Sequence, residues 1–176
     1  IEGEEVSTNP VILDLYFGMQ TRNMKFGQLG NVLPSQNPIN LAENIAMVSQ
    51  MLNGRVFAGF ARGYQPRWVN VLGQQVGLSE PAGGEDYEEL KRSLFEENFD
   101  LIMKAWQNDT FSFQGKHWQV PTKDIKWAAA EVAWNYGKGV NKDGYIEEIG
   151  IAPPTFEKQI PDLFMPFATS ERSIRW

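Results

Sequence analysis

Cysteine is absent from these 176 residues, and histidine occurs once, at position 117. The first absence removes disulfides, thiolate nucleophiles and cysteine-bound metals. The second leaves His117 unable to build a histidine-rich metal centre, so no metal site is expected. No apolar run approaches the roughly 18 residues that a membrane helix needs. The opening Ile1-Glu2-Gly3-Glu4 has neither the basic start nor the apolar core of a secretory signal. Cations are outnumbered too, 16 Lys and Arg against 22 Asp and Glu, for a net charge of -6. Nucleic acid and anionic membrane surfaces need clustered cations, so neither is an expected partner. Acidic balance without a targeting signal points by default to the cytoplasm. Chemistry is left to carboxylates, hydroxyls, arginines and aromatics, or to a borrowed organic cofactor, which fits best.

What is present is ordinary for a globular domain, 42% hydrophobic and 22% charged residues. Apolar spacing predicts a helix over 10–23 whose apolar face carries Ile12, Leu13, Leu15, Tyr16 and Met19. A strand is expected over 25–33, stopped by Pro34, and Asn37-Pro38 is a turn. Asn40 is the expected cap of the next helix, which runs to a stop at Asn53-Gly54. Residues 55–60 form a short apolar strand of the doubly buried kind. Strand, helix and strand make a βαβ unit. A long Gly-, Gln- and Pro-rich loop covers 61–84, followed by a helix over 85–106 and a hairpin over 110–120 turning near Gly115. Within an insertion region, 107–160, a helical turn is expected over 127–134. A third apolar strand follows at 163–168, and Thr169-Ser170 opens a last helix that reaches Trp176, as expected of a domain that continues beyond.

Several runs resemble the bacterial luciferase-like flavin monooxygenases. Phe26-Gly27-Gln28-Leu29-Gly30-Asn31-Val32-Leu33-Pro34, followed by Asn37-Pro38 and Ala42-Glu43, is similar to that family's third barrel strand and next helix. The run from Gly54 through Phe60-Ala61-Arg62-Gly63-Tyr64 resembles its fourth strand and phosphate-side turn. Phe113-Gln114-Gly115-Lys116 resembles its hairpin, and Phe167-Ala168-Thr169-Ser170-Glu171-Arg172-Ser173 its fifth strand and helix start. Each run alone is weak; four in order are specific. The likeness covers 10–176, more weakly over 123–160. It implies an α/β fold, a TIM (β/α)8 barrel of which about strands 3–5 and their helices lie in one partial domain, 1–176.

The resemblance also implies a chemistry, in which reduced FMN and O2 oxygenate a small organic substrate, with a flavin reductase as supplier and a homo- or hetero-dimer as the assembly. F420 in place of FMN, a non-catalytic flavin-binding protein, and an inert fragment are the alternatives. Arg62, beside Gly63, matches a contact to the cofactor phosphate, or is a solvated arginine at a strand end. Thr169, Ser170 and Ser173 match the same phosphate site at a helix start, where a cap hydroxyl is the plain reading. Arg92 matches a second phosphate arginine, yet sits off its helix's apolar stripe and suits a solvated face equally. Leu29-Gly30 matches a non-prolyl cis peptide beneath the flavin ring, the alternative being a β-bulge at Gly30. Ala61 stands where luciferase has a reactive cysteine, and the family's catalytic histidine matches nothing in the chain, so no catalytic residue is assigned. His117 reads as a packing or surface residue; Tyr64, Trp68, Trp127, Trp134 and Tyr136 either line a substrate mouth or pin loops.

Overall fold

The computed structural model describes residues 9–65, 67–78, 85–166 and 171–175. Helix α1 (Pro10–Met19) begins where Asn9 accepts a hydrogen bond from the Ile12 amide and Pro10 supplies a preset φ. Its expected apolar face is turned outward, with Ile12 62% and Met19 65% exposed. Of that face Leu15 alone packs against the core, beside Val11 and buried Gly18. A Cβ on Gly18 would meet Leu52 at 2.4 Å, so close packing through the glycine selected this face.

The first expected strand is real but broken. Phe26 pairs with Val56, while β1 (Asn31–Val32) pairs Asn31 with Phe60, so five steps on one strand oppose four on the other. The extra residue is a bulge at Leu29-Gly30, the alternative to a cis bond. Cis bonds among the described residues occur at Val120-Pro121 and Ala152-Pro153, so Leu29-Gly30 is trans, contrary to the expectation taken from the resemblance. Glycine makes the bulge possible, because a Cβ on Gly59 would stand 2.5 Å from the Leu29 backbone.

Helix α2 (Pro38–Met51) starts earlier than expected. Asn37, not Asn40, is its cap, accepting from the Ile39 and Asn40 amides at 3.0 and 3.1 Å, and Pro38 takes the first helical position. Asn53 and Gly54 end it with left-handed φ of 53° and 76°. The chain returns as β2 (Phe57–Ala61), parallel to β1, completing the βαβ unit. Buried Ala58, Gly59 and Phe60 make β2 the centre of a parallel sheet, between β1 and a later strand at Asp162–Phe164.

Helix α3 (Glu85–Gln107) buries Phe95, Leu101, Ile102, Ala105 and Trp106 against α2 and the sheet, and Leu94 against Val69 and Leu78. Asn98, fully buried, donates to Leu33 O at 2.8 Å and accepts from Trp118 Nε1 at 2.6 Å. The expected hairpin, β3 (Phe113–Gln114) against β4 (Gln119–Val120), is pinned to α3 by Glu97. Its carboxylate accepts from the Lys116, His117 and Trp118 amides at 2.8, 2.8 and 2.7 Å. His117 packs here, its ring 2.8 Å from Ser93 Oγ. Beyond the short α4 (Ala130–Tyr136), the third apolar strand, expected over 163–168, is present as β5 (Asp162–Phe164) and is exposed along its length. It is the sheet's edge, paired on one side alone. Residues 167–170 lie outside the described residues, and α5 (Glu171–Arg175) follows.

Candidate functional site

The C-terminal ends of parallel strands are where side chains and free amides from separate loops converge in α/β folds. Here that end opens on a cleft of about 850 Å³. Its floor is the β1 bulge, Leu29 to Val32, and its rim is the turn after β2, Ala61 to Gln65. One wall is a stripe of α3 carrying Glu88, Lys91, Arg92, Phe95 and Glu96. Met165 and Pro166, after β5, and Ser173 of α5 close the other side.

Six residues singled out in the sequence meet at this cleft: Leu29, Gly30, Arg62, Gly63, Arg92 and Ser173. Thr169 and Ser170, the other two, lie outside the described residues. Gly63 has φ +77°, and a Cβ there would meet Val32 Cγ1 at 2.5 Å, so glycine is required by both backbone and space. The turn it allows sets Arg62 half-buried on the rim. Arg92 faces the same space from α3, which explains why it is off the apolar stripe. Among the described residues neither guanidinium has an ion pair or hydrogen-bond partner. Half-buried arginines are ordinarily paired, because their desolvation is costly. Lys91 is different. It is 7% exposed, and its ammonium is held by Glu88 at 2.7 Å above the Tyr87 ring. Ser173 is brought to the cleft by Arg172, which bonds Glu89 at 3.2 Å and reaches Glu96 at 3.6 Å, tying α5 to α3.

Asn31 and Lys91 were not singled out in the sequence. The available signal was a polar residue inside an apolar strand run, which is the informative exception in a core. Tyr64 lines the cleft, whereas Trp127, Trp134 and Tyr136 are exposed elsewhere, and the Trp68 side chain lies outside the described set. Among the described residues no group of acidic residues and histidine is placed to hold a metal ion, and no helix is long and apolar enough to cross a membrane. The cleft therefore offers two arginines, a hydroxyl, an amide and apolar side chains, with Glu88 and Glu96 on the α3 wall.

The family model of the luciferase-like monooxygenases matches residues 3–133. A 3,6-diketocamphane 1,6-monooxygenase of Pseudomonas putida is 35% identical over 112 residues, 62% of this chain and 29% of that protein. The alkanal monooxygenase alpha chain of Aliivibrio fischeri is 26% identical over 106 residues, 60% of this chain and 27% of its own length. The chain thus spans less than a third of these curated relatives. Two solved structures share the fold. The oxygenating constituent of 3,6-diketocamphane monooxygenase from Pseudomonas putida, in complex with FMN, superposes with a TM-score of 0.61 at 23% identity, over 89% of this chain and 36% of that one. A monooxygenase from Streptomyces bottropensis gives 0.67 at 16% identity, over 95% and 39%. The family match over 3–133, which takes in β1, β2 and the α3 wall of the cleft, places this chain in the luciferase-like monooxygenase family.

Proposed function

We propose that the cleft is the phosphate end and part of the ring site of an FMN-dependent monooxygenase acting on a small organic substrate. The observation that carries this is the pair of arginines, Arg62 and Arg92, half-buried on one cleft and without a partner among the described residues. A phosphate monoester supplies the missing charge and accepts their fork-shaped donors. Ser173 adds a hydroxyl at the same place, and Thr169 and Ser170 are assigned beside it on the resemblance. Leu29 and Gly30 offer the ring an apolar, backbone-lined floor, and Gly63 keeps the rim close enough for the backbone to approach. In this reading β1, β2 and β5 are strands 3, 4 and 5 of a (β/α)8 barrel, in one partial domain over 1–176 with a long loop at 61–84 and an insertion at 107–160.

Reduced FMN, when bound, supplies the two electrons with which O2 delivers one oxygen atom to substrate and the other to water. The chain's own contribution is binding, orientation and exclusion of water by Phe95, Met165 and the apolar floor. FMN is preferred to F420 because a similar solved structure is an FMN complex. A separate reductase, a dimeric assembly and a cytoplasmic setting complete the proposal, on the family's habit. The test is Arg62→Ala titrated with reduced FMN under anaerobic conditions. Loss of a charged hydrogen-bonded contact predicts affinity lower by about ten- to a hundredfold. Unchanged affinity would remove Arg62 from the site.

A further inference from the structure

The cleft floor holds a polar group that the phosphate reading leaves unused. Asn31 is 4% exposed and stands next to the bulge. Its Nδ2 donates to Gly59 O on the neighbouring strand at 3.0 Å, which fixes the amide, since a flip would set oxygen against oxygen. Asn31 lines the cleft, and among the described residues no donor reaches its Oδ1. An acceptor left without a protein donor on a cleft wall is one that ligand or water satisfies.

We propose that Asn31 is a ligand-contacting residue whose Oδ1 accepts a hydrogen bond from the flavin ring and thereby favours its reduced form. This rests on the flavin reading above. The argument is one of donor count. At N5 the oxidised ring presents a lone pair, which a fixed carbonyl oxygen repels. The reduced ring presents N5–H, which the same oxygen accepts. Because Gly59 holds the amide, Asn31 cannot rotate to offer Nδ2 instead. Asn31 is therefore a discriminator between two states of one cofactor, with the sign set by which amide atom the neighbouring strand has claimed.

The experiment is a paired titration of the purified chain and its Asn31→Leu variant with oxidised FMN and, anaerobically, with reduced FMN. Circular dichroism and thermal melting check that the variant is folded. The expected result is a loss of about tenfold for reduced FMN relative to oxidised FMN, whose repulsion the substitution relieves. That ratio corresponds to a midpoint potential of bound flavin lowered by about 30 mV for a two-electron couple. A second probe needs no variant: reduced 5-deaza-FMN carries CH2 in place of N5–H, and should bind the unaltered chain about tenfold more weakly than reduced FMN. Equal losses for both redox forms, no loss, or indifference to the deaza substitution would overturn the role of Asn31 while leaving the phosphate reading intact. Failure of the unaltered chain to bind either flavin would overturn both.

Discussion

Arg62 and Arg92 show how much a single side chain's surroundings decide. In sequence each is one cation among 16, and a solvated face is its plainest reading. In the structure both turn toward one cleft without a counter-charge among the described residues, while Lys91 beside them is neutralised by Glu88. Gly63 was legible as part of a turn, but its second constraint, contact with Val32, required the fold. Gly63→Ala should lower the melting temperature, since a left-handed φ costs an alanine about 1–2 kcal/mol before the clash is counted. Flavin affinity should fall as well; a variant as stable as the parent would contradict the clash. Asp14 makes a prediction of opposite sign. Burial raises its pKa from 3.8 to about 6. The unfolded chain therefore gives up this proton first, and stability falls as pH rises from 3.8 through about 6. Asp14→Asn should melt higher than the parent above that window, by about 1 kcal/mol after allowing for its half exposure, and equally below it. Melting curves at pH 3.5 and pH 7.5 distinguish this from a pH-independent packing effect.

Elements were legible in proportion to how far local signals fixed them. The periodic α2 and α3, the short apolar β2 and the hairpin at Gly115 follow from spacing and turn residues, and all four are present. The cap of α2 was misplaced by three residues because Asn37 and Asn40 are equivalent in propensity; Pro38, suited to the first helical position, decides between them. The broken first strand was harder, since a bulge depends on glycines in the facing strand, Gly59 above all. The outward face of α1 was misread because an apolar stripe specifies that a face is covered, not by what. The hairpin's attachment could not be read at all. It depends on the Glu97 carboxylate meeting three amides about 20 residues further on. Glu97→Ala should leave the α3 helix intact and lower stability by about 1–3 kcal/mol, with faster hydrogen exchange at the Lys116 to Trp118 amides. Exchange rates unchanged there would mean that the hairpin is held by its Asn98 and Ser93 contacts and by Trp118 packing rather than by Glu97.

At the scale of the molecule, three parallel strands among the described residues leave two open edges there, and apolar side chains stand exposed on α1 and β5, Phe164 at 48% among them. Closed barrels bury such surfaces, and the chain spans 29% and 27% of the two curated relatives it was compared with. The cleft lies on the strand-end side of this sheet, where contributions from several loops are brought together by the fold and by nothing local in sequence. The order of motifs carried the family, while the meeting of residues as far apart as Leu29 and Ser173 needed three dimensions. The central claim, that this cleft holds the phosphate of FMN, is tested most directly by comparing FMN with riboflavin, which lacks only that group. Equilibrium titration of the chain at low and high salt should show FMN binding at least about tenfold tighter, with the advantage shrinking as salt screens the arginines. Equal affinity for the two, at either salt, would contradict the account.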